Sequence, residues 1–322
     1  MMKNKVKIIV GILSLGLIFG GCKNENSKEN PSSDPTIAYS NKNSNKSNEK
    51  NKKSDVDKKD QGKVVDGSIN SEILKQNWKY KVYLPNGYDE KSDEKYPVLY
   101  MLHGFGGNSS SILEKSNTKD MLDKIMKDKE NKMIVVFADG FSSFFVDSDY
   151  DKKMESAIKE ELIKEIDGKY KTDANKTKRA IGGFSVGGYG AASLSLRNPD
   201  LFSKALLISP TLWDKLDEDS LIRRNYMAFS DGKQMWSDEV YKEKFPSNFI
   251  NENTKDINFY IRASEGDSKI KIEDIEKFNK DLEKSEINTQ FKKDGKEFDH
   301  DWDYWNKITE ESYMWVLEEF NK

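Results

Sequence analysis

The stretch RAIGGFSVGGYGAASLSLRNP, residues 179–199, places five glycines and three serines between an apolar run and a proline. It contains the pattern G-x-S-x-G at residues 183–187, with Ser185 at its centre. In enzymes that use this pattern, the serine lies on a sharp turn between a buried strand and a helix. The apolar residues before the pattern fit such a strand, and the small residues after it fit a helix that continues to Pro199. For this stretch alone, a flexible loop that merely turns the chain is the alternative.

The spacing of the glycines favours the sharp, strained turn over the flexible loop. A sharp strand-to-helix turn crowds neighbouring side chains, and glycine two positions before and after the serine relieves that crowding. Gly183 and Gly187 stand at those two positions. Ser185 would then lie at a helix N-terminus, where backbone N–H groups and the helix dipole stabilise developing negative charge. The stretch therefore predicts that Ser185 is a nucleophile.

A second glycine-rich segment, LHGFGG at residues 102–107, ends an earlier apolar run. Hydrolases with a G-x-S-x-G turn place here a loop whose backbone approaches the carbonyl oxygen of the substrate. We expect the backbone N–H groups of Phe105 and Val186 to bind the oxyanion that forms on that carbonyl. The two segments together favour acyl chemistry over a purely structural turn.

A serine hydroxyl needs a base, and the chain has only two histidines. His103 lies within LHGFGG, before the serine. In this type of hydrolase the acid and then the histidine follow the serine along the chain. The sequence therefore predicts that His300, in the segment FDHDWDYW, is the base.

The acid is expected at the end of the apolar run INFYIRASEGD, residues 257–267, where Asp267 and Glu265 are both candidates. Its carboxylate would hold the imidazole tautomer and stabilise the imidazolium. We favour Asp267, and Glu265 stays open as the alternative. Asp299 and Asp301 stand too close to the histidine in sequence to reach its Nδ1 atom, and we expect them to cap or solvate the loop.

Apolar, β-branched runs alternate with helical patterns along the body of the chain. This alternation is typical of an α/β fold with a mostly parallel sheet covered by helices on both faces. The segment WKYKVYLP, residues 78–85, alternates in polarity and predicts an early antiparallel strand. Buried strands are predicted within residues 96–104, 133–140, 179–185, 204–210 and 257–267.

Two helices follow from apolar side chains that recur at helical spacing. The first is predicted to end at a glycine C-cap, Gly168, and its apolar stripe consists of Met154, Ile158, Leu162 and Ile166. The final helix is predicted from Trp305, Ile308, Val316, Leu317 and Phe320.

An aromatic-rich insertion is predicted at residues 211–256, over the catalytic face of the fold. Its aromatic side chains either line a substrate pocket or simply pack the insertion onto the body. They include Trp213, Tyr226, Phe229, Trp236 and Tyr241.

These motifs resemble the esterase branch of the α/β-hydrolases that includes esterase D (S-formylglutathione hydrolase), feruloyl esterases and mycolyltransferases. The likeness extends from about Val64 to Phe320 and rests on YPVLYMLHGFGG, ELIKEIDGKY, RAIGGFSVGGYGA, ASEGD and HDWDYW. It implies the α/β-hydrolase fold and a serine esterase, closest to the feruloyl-esterase-like members. The chain departs from the family pattern where Val186 replaces a common methionine and where Ser264 and Asp299 each replace a common glycine.

The N-terminus predicts export and lipidation. Three lysines precede an apolar run from Ile8 to Phe19, which is shorter than the about 20 residues that span a bilayer. Residues 1–21 therefore resemble a bacterial lipoprotein signal peptide, with Phe19 where leucine is usual, and Cys22 is the expected lipidation site. An ordinary signal peptide with an incidental cysteine is the alternative. Residues 22–62 are expected to form a disordered tether, because they contain too few apolar side chains to offset the entropy of ordering.

Composition and net charge limit the number of domains, the disulfides and the classes of partner or cofactor. Residues 63–322 suit one large domain. The single cysteine, Cys22, excludes an internal disulfide. The net charge is −3, and the body carries no basic stripe with interleaved aromatics, so we expect no nucleic-acid partner. We expect no metal or cofactor, because two histidines are too few for a zinc cluster and the calcium-like stretches DSDYDK and DHDWDY lack a sixth-position glycine.

The sequence thus predicts a lipid-anchored, extracytoplasmic serine esterase acting on soluble or wall-attached esters, which include feruloyl or acetyl esters of polysaccharide. An acyltransferase of the mycolyltransferase type is one alternative, since it would share the acyl-enzyme. A surface lipoprotein that kept the fold but only binds a ligand is the other. The acyl and alcohol groups and the oligomeric state do not follow from the sequence.

Overall fold

The computed structural model describes residues 61–127 and 132–322. The predicted signal peptide, Cys22 and nearly all of the predicted tether lie outside the described residues. Within them, no helix combines the length and the apolar character that crossing a membrane requires.

A single eight-stranded sheet organises the described part of the chain. Its strands are β1 (Lys63–Ser71), β2 (Gln76–Leu84), β3 (Val98–Leu102), β4 (Ile134–Ala138), β5 (Arg179–Phe184), β6 (Lys204–Ile208), β7 (Asn258–Ser264) and β8 (Thr289–Asp294). Their spatial order is β1-β2-β4-β3-β5-β6-β7-β8. β2 runs antiparallel to both neighbours, and all pairs from β4 to β8 are parallel. The predicted mostly parallel sheet is confirmed.

Helices connect the strands. They are α1 (Ser111–Lys115), α2 (Thr118–Ile125), α3 (Met154–Ala157), α4 (Ile163–Lys169), α5 (Val186–Arg197), α6 (Leu221–Asn225), α7 (Asp238–Glu243), α8 (Ile272–Lys284) and α9 (Trp302–Phe320). A π-helical turn at Ile158–Leu162 joins α3 to α4, and 3-10 turns occupy Lys176–Lys178, Pro246–Phe249 and Glu252–Thr254.

Side chains of the central strands point alternately to the two faces of the sheet, and both faces are buried because helices pack on each of them. In β3, Val98, Tyr100 and Leu102 join one apolar core with α4, α5, α8 and the insertion. Leu99 and Met101 join a second core with α2 and α9. The strands therefore read as continuous apolar runs, which is why they were recognisable in the sequence.

The six predicted strand segments each contain a strand, but β1 and β8 were not predicted. Both are edge strands whose side chains are mostly exposed or half-buried, so they lack an apolar run. The predicted glycine C-cap was wrong, because Gly168 lies inside α4 and the helix ends at Tyr170 in an extended conformation. The apolar stripe before it, including Ile158 and Ile166, is fully buried as expected.

Candidate active site

Ser185 lies on a strained turn between β5 and α5. Its backbone has φ 55° and ψ −117°, in a region that L-residues rarely adopt. Its N–H donates to the carbonyl of Ile208, 2.9 Å away, and its own carbonyl accepts from the N–H of Gly188 at 2.9 Å and of Thr211 at 3.1 Å. These bonds to β6 and to the segment after it hold the turn in its strained conformation.

The glycines around Ser185 allow close backbone contacts. A Cβ atom at Gly183 would collide with the backbone of Gly187, and one at Gly187 would collide with the carbonyl of Leu102. A Cβ at Gly104 would lie 3.3 Å from the Cβ of Ser185. The two glycine-rich segments singled out in the sequence therefore meet at the serine.

A chain of hydrogen bonds connects the serine with a histidine and a carboxylate. The Nε2 atom of His300 lies 2.8 Å from the Oγ of Ser185. The Nδ1 atom of the same ring lies 2.7 Å from the Oδ2 of Asp267. The Asp267 side chain is only 1% exposed, and its Oδ1 accepts from the N–H groups of Lys269 and Ile270. Because this carboxylate is buried and fully partnered, it fixes the orientation of the imidazole.

Glu265 is placed elsewhere. It forms an ion pair with Lys293 at 3.1 Å, on a partly exposed surface. Of the two acid candidates, the structure brings Asp267 to the histidine.

Asp299 and Asp301 contact the backbone. The Oδ1 of Asp299 accepts from the N–H groups of Ser268, at 2.8 Å, and of His300, at 2.7 Å. Asp301 is the N-cap of α9 and accepts from the N–H of Tyr304. The Ser268 N–H, reinforced by that of His300, holds the pKa of the Asp299 carboxyl below its ordinary value, against an opposing effect of partial burial.

The histidine ring also has an aromatic support. The ring of Trp305 meets that of His300 edge-to-face, with centroids 5.1 Å apart. The Trp305 Nε1 donates to the Oγ of Ser209, 3.1 Å away, directly after β6. The first turn of α9 therefore packs behind the imidazole and ties it to the central sheet.

The predicted oxyanion donors lie beside the serine. Val186 is the first residue of α5, so its N–H has no acceptor within the helix. Phe105 follows Gly104 in the loop after β3, and within residues 61–127 and 132–322 its N–H donates to no protein acceptor. Both donors are thus available for a substrate oxygen.

Tyr226 of the insertion braces this loop, which the sequence did not indicate. Its hydroxyl accepts from the N–H of Gly106 at 3.2 Å. Its ring stacks on that of Phe105, with centroids 4.8 Å apart. Burial raises the pKa of the Tyr226 phenol, so the hydroxyl stays neutral and can act as both donor and acceptor.

His103 is buried beneath the same loop. Its Nε2 lies 2.8 Å from the N–H of Gly140, which must donate, so Nε2 is the acceptor. Its Nδ1, 2.8 Å from the carbonyl of Gly104, is then the donor. The ring thereby joins the loop after β3 to the loop after β4, and among the described contacts it does not bond to Ser185.

The loop after β4 is itself strained. Phe141, Phe144 and Phe145 have positive φ values of 52°, 54° and 59°. Such conformations cost about 1–3 kcal/mol each and persist only where surrounding packing imposes them. The rings of Phe144 and Phe145 are almost fully buried, which supplies that packing. No local signal in the sequence marks this strain.

The five predicted insertion aromatics are all buried, which favours packing onto the body for most of them. Four of them contact the ring of Phe144, and two, Phe229 and Tyr241, contact Tyr189 of α5. Tyr226 alone among the five stacks on the loop that approaches the serine. No group of three carboxylate, histidine or cysteine side chains in the described residues is arranged to hold a metal ion.

Comparison with known proteins defines the class to which this site belongs. The family model described as "Putative esterase" matches residues 71–310. The chain therefore belongs to this esterase family, and its described part has the α/β-hydrolase fold.

Two curated relatives are ester hydrolases by name. An endo-1,4-beta-xylanase/feruloyl esterase of Xylanibacter ruminicola is 35% identical over 136 residues, which are 40% of this chain and 19% of that protein. An acetyl esterase of Caldicellulosiruptor saccharolyticus is 24% identical over 270 residues, which are 76% of this chain and 95% of that protein. The chain thus spans about a fifth of the first relative and nearly all of the second.

Solved structures share the fold. A ferulic acid esterase is 23% identical with a TM-score of 0.68, covering 80% of this chain and 98% of that chain. An S-formylglutathione hydrolase from Agrobacterium tumefaciens is 19% identical with a TM-score of 0.65, covering 81% and 96%. At such identities the likeness shows the fold alone. Family membership and the curated relatives support a carboxylic ester hydrolase.

Proposed function

We propose that the protein is a serine esterase that works through an acyl-enzyme. The observation that carries this proposal is the continuous hydrogen-bonded chain from Ser185 through His300 to Asp267, with distances of 2.8 and 2.7 Å. A nucleophile, a base and an orienting carboxylate in this sequence are the requirements of acyl transfer.

In the first half of the reaction, the Oγ of Ser185 attacks the ester carbonyl carbon and its proton passes to Nε2 of His300. Asp267 holds the Nδ1–H tautomer and stabilises the imidazolium. The N–H groups of Phe105 and Val186 bind the oxyanion of the tetrahedral intermediate. The intermediate collapses when the imidazolium protonates the leaving alcohol. In the second half, the histidine takes a proton from water as the water oxygen attacks the acyl carbon. The bond from that carbon to the Oγ of Ser185 then breaks, the imidazolium returns the proton to Oγ, and the acid is released.

For the substrate, we propose soluble or wall-attached esters, including feruloyl or acetyl esters of polysaccharide. Phe105 is 42% exposed, and its ring stacks on Tyr226 beside the proposed oxyanion donors. An aromatic acyl group can pack against such a ring. The names of the two curated relatives, a feruloyl esterase and an acetyl esterase, support the same substrate class.

The test combines active-site labelling with product analysis. A fluorophosphonate probe should label the wild-type protein and leave Ser185→Ala unlabelled. Ser185→Ala and His300→Ala should each lose at least about 10⁴-fold in kcat on an activated ester, with the double variant little worse. Either single variant retaining more than about a tenth of the rate would contradict the mechanism. Acylated sugar exceeding free acid as the product, with a sugar alcohol added, would favour the acyltransferase alternative, and no labelling would favour the ligand-binding alternative.

We further propose that Cys22 anchors the protein to the outer face of the cell membrane through a lipid. The basic start, the short apolar run and the cysteine at its end support this proposal. Cys22→Ser should move the protein from the membrane fraction to the soluble extracytoplasmic fraction. Membrane attachment that persists in the variant would instead indicate an uncleaved anchor.

A further inference from the structure

Most of the large exposed apolar side chains among the described residues belong to segments that follow the carboxyl ends of parallel strands, as Ser185 does. Four of the five large ones among the described residues belong to loops after β3 and β4 or to the insertion, and the fifth, Met314, is on α9. Those four are Phe105, Tyr150, Leu221 and Met235. Tyr150 is the most exposed of all, at 50%. One exposed ring does not by itself indicate a partner, so the support and the surroundings of Tyr150 decide whether it can bind a ligand.

The Tyr150 ring rests on a glycine. A Cβ atom at Gly232 would lie 2.6 Å from both Cε1 and Cζ of the ring, so only glycine leaves room for it. Gly232 has φ +83°, a conformation that glycine adopts readily. Its turn is fixed by Ser230, whose Oγ accepts from the Gly232 N–H at 3.0 Å and donates to the carbonyl of Gln234 at 2.7 Å. The ring is therefore supported from one side by a rigid turn of the insertion.

The loop that carries Tyr150 is also fixed. Asp147 pairs with Lys153 in an isolated bridge, and the Nζ of Lys244 donates to the Asp147 carbonyl. The Oγ of Ser148 accepts from the Tyr150 N–H at 3.3 Å and donates to the carbonyl of Met227 at 2.9 Å. A ring on such a loop loses little conformational freedom when it binds a ligand.

These contacts connect Tyr150 to the active site. Met227 directly follows Tyr226, whose ring stacks on Phe105 of the proposed oxyanion loop. The exposed Phe105 and the loop that carries the exposed Tyr150 therefore both contact the Tyr226–Met227 segment of the insertion. Because Tyr150 does not itself contact the triad in the described part of the chain, a substrate bound at Ser185 would have to extend beyond the ester group to reach this ring.

The charges around the ring are balanced. Asp149 forms an ion pair with Lys153, and Asp151 lies 3.7 Å from Lys152. The flanking groups supply hydrogen-bond donors and acceptors without a net charge, so they favour a neutral ligand over an anion or a cation. A sugar ring has an apolar C–H face of the size of one aromatic ring, and its hydroxyl groups can reach the surrounding polar side chains.

We propose that Tyr150 is a carbohydrate-stacking subsite, which binds a neutral sugar residue of the polysaccharide that carries the ester. This inference rests on the proposed function, because it specifies the alcohol side of the same substrate. The Gly232 turn and the Ser148–Met227 bond hold the ring, and the sugar packs against its exposed part.

Binding is measured in the Ser185→Ala background, where the polymer is not consumed. Retardation of the protein in gels containing neutral arabinoxylan should be clear for this parent and for Ser185→Ala/Tyr150→Phe. Adding Tyr150→Ala should weaken the affinity by about three- to ten-fold, the range expected for one stacking contact. Met314→Ala, which removes a similarly exposed apolar side chain from α9, is the matched control and should bind like the parent.

Two results would overturn the inference: equal retardation of the parent and the Tyr150→Ala variant, or no retardation of the parent by arabinoxylan. Retardation by anionic polygalacturonate that matches or exceeds the effect of arabinoxylan would contradict the neutral ligand.

Kinetic measurements on the protein that retains Ser185 separate this inference from the proposed function. Tyr150→Ala should lower kcat/KM for feruloylated arabinoxylan relative to 4-nitrophenyl acetate by about three- to ten-fold, mainly through KM. An unchanged ratio would contradict the subsite. Failure of the wild-type protein to hydrolyse any ester would instead contradict the proposed function, while the gel measurement would still report on the subsite.

Discussion

The Oδ1 atom of Asp299 lies 2.8 Å from the backbone nitrogen of Ser268, which donates to it. This bond joins the loop that carries the histidine to the loop that carries the acid. Ser264 makes a second connection, because its Oγ lies within hydrogen-bond distance of the carbonyls of Gly295, at 2.8 Å, and Phe298, at 2.6 Å. Two of the three departures from the family pattern thus fall on side chains that tie these loops together.

Removing the Asp299 connection should impair catalysis without removing a triad member. We expect Asp299→Ala to lower kcat by about 10-fold, because the imidazole and its acid lose a shared backbone restraint. Asp299→Asn keeps an oxygen acceptor and should recover most of that loss. Equal rates for the wild type and Asp299→Ala would show that the bond does not position the histidine.

The same carboxylate predicts a pH dependence of stability. Because its pKa is lowered in the folded state, its contribution is fully present above the ordinary aspartate value of about 3.9. That contribution is lost only as the pH falls through the lowered value. Urea unfolding of the wild type and Asp299→Asn should therefore differ at pH 6, and the difference should shrink toward pH 3. A difference that grows on acidification would contradict this assignment.

The two acid candidates are separable by substitution. Asp267→Asn should reduce kcat by about 10⁴-fold, because an amide at Nδ1 favours the wrong imidazole tautomer. Glu265→Gln is the matched control, since it breaks only the partly exposed ion pair with Lys293 and should change kcat less than about two-fold. A larger loss of kcat in Glu265→Gln than in Asp267→Asn would assign the role of the acid to Glu265.

The insertion should affect the rate through one hydroxyl group. Tyr226→Phe removes the acceptor for the Gly106 N–H but keeps the ring that stacks on Phe105. We expect a 3- to 30-fold loss in kcat, roughly the range of one hydrogen bond that holds the oxyanion loop. Tyr241→Phe removes a hydroxyl in the same insertion that donates to Trp213, and it should cost stability without a comparable loss of rate. Similar kcat for the two variants would indicate that Tyr226 only packs.

His103 should matter for stability and loop geometry, not for proton transfer. His103→Ala leaves the buried Gly140 N–H without its acceptor, so unfolding in urea should become easier by about 2–4 kcal/mol. His103→Gln can replace part of the bonding and should lose rate while its pH profile keeps a histidine-like limb from His300. Disappearance of that limb in His103→Gln would contradict the assignment of His300 as the base and would favour His103.

Much of the fold could be predicted because burial leaves a local signal. β3 to β7 are buried on both faces, so each is an apolar run, and the alternation of β2 marks it as an antiparallel strand. β1 and β8 carry no such signal, because edge strands pair through the backbone and leave charged side chains in water. The helix before Gly168 was predicted from its stripe, but its end was not, because a glycine fits inside a helix as well as after it.

The sequence by itself determined which chemical groups are present and their order: a serine within G-x-S-x-G, a later acid and a last histidine. It could do so because these motifs depend on local backbone requirements that only certain residues meet. The tertiary structure alone decided which carboxylate reaches His300 and that Tyr226 braces Gly106. Those contacts join residues 33 and 120 positions apart, so they depend on how the sheet and the insertion pack, which no local pattern encodes.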